Sequence, residues 1–296
     1  MVEVLEIRRP ELSFATPIAA SDAEALPAHW HGDGAFATHF YDALSSTFPF
    51  GEAFFVRSVT AYRNRIDDPC LSERIRGFAG QEGQHSRLHD DHVELLVARG
   101  YPRLASRNRF IDRLLRIHNR RLPRLSLAST AALEHLTAIL ARRLLEDGAA
   151  RTAKMHPKIA PLWRWHALEE LEHKCVAHDV LMRVAPQRWL RIVAMSFETA
   201  ILIFETSLRT GYMLWRDGLL FDRPTWRAGS RFLFGPSGLL RGTGAAYRAW
   251  FGRDFHPDSG DDACDDAATI AEIRPRVMRE IAGAAGGGGG RACSRT

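Results

Sequence analysis

Four glutamates set the terms on which this chain can fold. Glu52, Glu82, Glu134 and Glu170 each interrupt an otherwise apolar stripe of helical period. Four carboxylates in one apolar core are very costly unless cations neutralise them. Two of the four are followed three residues later by a histidine, Glu82 by His85 and Glu170 by His173. That spacing puts each pair on one helical face about a turn apart, within reach of one metal ion. Such a pair means little alone in a chain with 17 glutamates and 13 histidines. The order means more: Glu52 lies 30 residues before Glu82, and Glu134 lies 36 before Glu170. Each interval fits a helix, a turn and a returning helix.

The rest of the pattern is helical. Residues 1–33, with Pro10, Pro17 and Pro27, read as an irregular leader. Helical periodicity then dominates to about residue 252, with no alternating run long enough for a strand. Helices are expected from near Pro49, over 71–98, over 127–146 and over 161–184. Residues 34–257 are expected to form one helical domain. Residues 258–296, acidic and then glycine-rich, are expected to form a flexible tail.

Composition narrows the function classes. The 296 residues are 46% hydrophobic and 25% charged, the balance of a globular protein with a substantial core. Cys70, Cys175, Cys264 and Cys293 make neither a disulfide framework nor a C-x-x-C pair. With no apolar signal segment at the start, a reducing, cytoplasmic setting is expected. Residues 189–212 are strongly apolar but carry Arg191, Glu198, Glu205 and Arg209. A buried helix fits better than a membrane span, with both glutamates paired to arginines. Eight arginines between Arg103 and Arg124 face a single acid, Asp112. They read as the solvated face of an amphipathic helix, leaving room for peripheral membrane contact; no nucleic-acid partner is expected.

The order Glu, Glu-x-x-His, Glu, Glu-x-x-His is the ligand set of ferritin-like di-iron and di-manganese bundles. The fold expected is therefore all-α, a ferritin-like four-helix bundle with additional C-terminal helices. Glu52, Glu82, Glu134 and Glu170 would offset the charge of two divalent ions, with His85 and His173 at the ends. The fourth helix adds His166, one turn before Glu170, giving His-x-x-x-Glu-x-x-His. That motif resembles the di-iron arylamine N-oxygenases, a likeness that implies His166 as a third imidazole ligand.

The wider match is to the helical family of predicted metal-dependent hydrolases, itself similar to those oxygenases. It rests on Phe48-Pro-x-Gly-Glu52, Gln81-Glu82-x-x-His85-x-x-x-His89, Ala132-Leu-Glu134-His135, Trp165-His166-x-x-x-Glu170-x-x-His173 and Phe255-His256-Pro257, over roughly residues 40–257. His89, one turn after His85, is a candidate ligand or a neighbour that holds one; His135 points about 100° from Glu134 and reads as core or as such a neighbour; Asp179 is a candidate to hold a ligand imidazole. Glu169 and Glu172 flank the motif on other faces and either orient ligands or face solvent. Beyond the metal centre no catalytic residue can be named.

The resemblance implies a non-haem di-iron enzyme that uses O2 to oxidise a small organic substrate, N-oxygenation included. Its cofactor would be two iron ions, with manganese or a mixed pair as alternatives, and an electron donor would serve it. The family label implies instead a hydrolase using a metal-bridging hydroxide. Metal storage or ferroxidase activity is the non-enzymatic alternative. A homodimer is expected.

Overall fold

The computed structural model describes residues 5–12, 26–259 and 261–286, and among them every regular element is helical. The chain is all-α, as expected, and the arrangement fits a ferritin-like bundle. Two helical hairpins form its centre. The first is α1 (Ala35–Ser45), α2 (Phe48–Thr60) and α3 (Pro69–Ala98), in which α2 packs along α3. Helix α4 (Arg103–Arg121) then crosses to the second hairpin, α5 (Pro123–Ala149) against α6 (Ala160–His173) and α7 (Val176–Val184). Around these lie α8 (Arg188–Arg216), α9 (Arg223–Phe234), α10 (Gly244–Ala249) and α11 (Asp261–Gly286).

Local chemistry explains the boundaries. Asp68 caps α3 by accepting the backbone N–H groups of Cys70 and Leu71, and Pro69 occupies the first turn. Gly100 follows that helix with φ +103°, a left-handed conformation that suits glycine. Helix α5 ends where Glu146, Asp147 and Gly148 leave helical geometry.

Among the described residues the apolar interior holds two large clusters and a smaller one around Leu96, Tyr101 and Leu104, and the four glutamates lie at the level between the two large ones. Along α3, Leu71, Ile75 and Phe78 belong to one cluster, Glu82 and His85 follow, and Leu88 and Leu95 belong to the other. Helix α5 repeats this order, with Ala128 and Ala132 on one side of Glu134 and Ala141 and Leu145 on the other.

Several expectations need correction. The fourth bundle helix is not continuous to residue 184: it breaks at Lys174 and Cys175 into α6 and α7. Lys174 Nζ there reaches Asp266 on α11. The segment from 258 is not simply a flexible tail, because α11 runs along α5 and α6 and buries Ile273, Val277 and Ile281. The glycine-rich end, with Cys293, lies outside the described residues. The leader is irregular over residues 5–12 but docked: Leu5 is buried, and a Cβ added at Gly77 of α3 would stand 2.5 Å from Leu5 Cβ.

Finally, α8 is not a buried helix. One face buries Leu190, Ala194, Met195 and Met213 against the bundle, while Trp189, Phe197, Ile203 and Phe204 are exposed. Glu205 pairs with Arg107 and Arg209 as expected, but Glu198 is held by Ser129 of α5 instead of an arginine. No described helix is long and apolar enough to cross a membrane.

Candidate metal centre

The six ligands expected from spacing, and His166, converge from α2, α3, α5 and α6. All seven are buried. Glu82, His85, Glu170 and His173 present ligand atoms within 4.8 Å of one another, as do Glu52, His85 and His166. His173 stands between two carboxylates, Nδ1 at 2.9 Å from Glu134 and Nε2 at 3.1 Å from Glu82. His166 Nε2 lies 2.9 Å from Glu170 Oε1 and 3.9 Å from Glu52 Oε1. The His85 and His166 rings stack with centroids 4.2 Å apart.

Polar satisfaction shows what the site lacks from protein alone. Both oxygens of Glu52 and of Glu82, Oε1 of Glu134 and Nδ1 of His85 are buried without a hydrogen-bond partner. Buried acceptors are rarely left so, and each costs about 1–3 kcal/mol, more when charged. Divalent cations would satisfy this oxygen-rich, imidazole-containing donor set directly. The residues therefore fit divalent metal.

Titration shifts have the same origin. Burial, reinforced by Glu82, raises the Glu52 carboxyl well above the usual range. Burial also pushes Glu134 up to about 8 against the pull of His173. Burial opposes charge on His173 too, but Glu134, Glu82 and Glu170 outweigh it and lift the imidazole to about 10. Glu170, despite burial, falls to about 2 because His166, His173 and His85 surround it.

Neighbouring groups hold the ligands in place. His89, one of the candidates for this role, approaches His166 Nδ1 at 2.6 Å and thereby turns Nε2 toward the carboxylates. His89 itself is fixed by Ser45, whose hydroxyl also meets His92. The hydroxyl of Thr137 donates to Glu170. The ring walls are apolar, with Phe48 centred 4.5 Å from His166 and Phe78 5.1 Å from His173.

Two candidates do not belong here. The His135 ring is stacked on Trp250 and its Nε2 meets the carbonyl of Ala246, because it points about 100° away from Glu134 around α5. Asp179 follows the break after α6 and lies between Arg74 and His256, so the imidazole it holds is not one of those gathered at this centre.

A further residue orients a ligand. Glu169 is fully buried, and its Oε2 lies 3.0 Å from His85 Nε2. Its other oxygen accepts from Trp165 Nε1 and from Arg8, each at 2.9 Å. This is the carboxylate partner that metal-bound imidazoles usually have. Its neighbours Trp163, Arg164 and Trp165 are all buried too, so α6 is covered on more than its ligand face.

Comparison with curated proteins and with solved structures finds no match. The family model described as predicted metal-dependent hydrolase matches residues 18–261. With this buried carboxylate–imidazole centre inside the matched region, the chain belongs to the family of predicted metal-dependent hydrolases.

Proposed function

We propose that the chain is a hydrolase working through two divalent cations held by Glu52, Glu82, His85, Glu134, His166, Glu170 and His173. The observation that carries this reading is the set of buried carboxylate oxygens on Glu52 and Glu82 that have no hydrogen-bond partner. Family membership supports hydrolysis as the reaction class. When bound, divalent cations supply Lewis acidity and lower the pKa of water toward neutrality.

The chain's own residues do the positioning. Glu169 fixes His85, and the Ser45–His89 pair fixes His166. Thr137 holds one oxygen of Glu170, leaving the other toward His166. Phe48, Phe78 and Trp165 keep bulk water from the centre, where low dielectric strengthens each charge contact. The substrate classes that suit this chemistry are carboxylic esters, amides and phosphoesters.

One observation favours a second reading, oxidation of a small organic substrate by O2 at two irons. The contact of His166 with Glu170 places a third imidazole beside four carboxylates, as in the oxygenases this motif resembles. The test loads the full chain separately with zinc, manganese and, under low oxygen, ferrous iron. A panel of nitrophenyl esters, anilides and phosphoesters is then assayed beside O2 uptake. Hydrolysis by the zinc or manganese form without O2 uptake is expected. Reductant-dependent O2 uptake by the iron form, with no hydrolysis in any form, would overturn the hydrolase.

A further inference from the structure

An apolar cavity of about 450 Å³ lies beside the bundle, between α1, α5, α8 and α9. Its walls include Phe40, Ile139, Leu202, Phe234 and Tyr247. A smaller cavity of about 50 Å³ lies further in and is lined by both His166 and Glu170. The two share Leu44, Leu140 and Leu202 as walls, so three leucines separate the larger cavity from the candidate metal centre.

Shape and chemistry together limit what can occupy this pair. The larger cavity falls within the roughly 300–1,000 Å³ range of small-molecule sites and is lined mainly by hydrocarbon. It extends along α8 from Thr199 to Thr210, twelve residues with a rise of about 16 Å. The inner cavity has room for only a few heavy atoms, which excludes a ring system from the position beside His166. Thr206 lines the outer cavity, and its hydroxyl is buried with no hydrogen-bond partner, one polar contact waiting in an apolar wall. At the mouth, Ile203, Trp226 and Phe234 are exposed. An elongated apolar molecule meets hydrocarbon from the entrance inward and carboxylates and imidazoles only at its tip.

We propose that the outer cavity binds the unbranched apolar chain of the substrate, whose small polar end enters the inner cavity beside His166 and Glu170. The proposal rests on the metal-dependent reading of the centre and names its substrate class: medium-chain amphiphiles with one hydrolysable polar end.

The experiment is calorimetric titration of the full chain with n-alkanols from hexanol to dodecanol, kept below their aggregation limits. It is run on metal-free and on zinc-loaded protein, with cation content measured on the same samples. Affinity should rise roughly fourfold per added methylene, the equivalent of about 0.8 kcal/mol. Leu202→Trp, in the shared wall, and Ser207→Trp, in the outer wall, should each weaken dodecanol at least tenfold while helicity and zinc content stay unchanged. Two variants guard against one failing to fold. A length ladder in metal-free protein supports the cavity even if no cation loads, which separates the failure of one reading from that of the other. Affinity independent of chain length, or unchanged in both folded variants, overturns the proposal.

Discussion

Replacing Glu169 by Gln keeps the volume of the side chain and removes its charge. In the native chain Oε2 of Glu169 lies 3.0 Å from His85 Nε2, and both groups are fully buried. The carboxylate cannot swing away, since Trp165 and Arg8 hold its other oxygen. A glutamine there can offer only a neutral carbonyl, or an amide N–H that opposes the imidazole N–H. Removing such a partner typically weakens metal binding by about 10- to 100-fold, or about 1.4–2.7 kcal/mol. The fold should lose only about 1 kcal/mol, because Arg8 keeps its bond to Glu172. The assay is zinc or manganese titration against a competing chelator, with Glu172→Gln as control. Glu172 meets Arg8, Gln81 and Arg274 but does not touch His85. An unchanged affinity in Glu169→Gln, or an equal loss in Glu172→Gln, would refute the orienting role.

Other outcomes follow from the same geometry. His166→Ala should retain the fold but weaken one cation position by about 100-fold or more; equal affinity at both positions would make His166 structural. Burial pushes His31 down to about 4, Asp33 notwithstanding, so the unfolded chain protonates first as pH falls below about 6.5. Stability should therefore drop between about pH 6.5 and 4, by up to about 3 kcal/mol from this residue. The difference in urea midpoint between pH 7.5 and 5 should shrink in His31→Asn, and an undiminished difference would contradict the assignment. A chain ending at residue 259 loses the buried Ile273 and Val277, about 1.5–3 kcal/mol each. Its thermal midpoint should fall by roughly 5–15 °C, whereas an unaltered melt would mean that α11 adds nothing to the bundle.

What the sequence disclosed, and what it hid, follows from periodicity. Glu52, Glu82, Glu134 and Glu170 were legible because each breaks an apolar stripe, and i, i+3 spacing tied His85 and His173 to them. Glu169 was legible only as an acid flanking the motif, open to orienting a ligand or to facing solvent, because it lies on the back of α6. That back is covered by Arg8 and α11, elements distant in sequence. The Ser45–His89 contact spans 44 residues and two helices, so no local pattern records it. The break at Lys174 and Cys175 carries no glycine or proline to announce it. In α8 apolar composition does not amount to burial, because only one face meets α1 and α5.

The most direct measurement is cation content per chain. Protein purified under low oxygen and loaded with manganese, zinc or ferrous iron should retain two divalent cations per chain by elemental analysis. Glu82→Ala, which removes a carboxylate from the middle of the cluster, should retain one or none while keeping its helical content. A native chain that retains no cation, or a folded Glu82→Ala that still holds two, would contradict the metal centre on which the function rests.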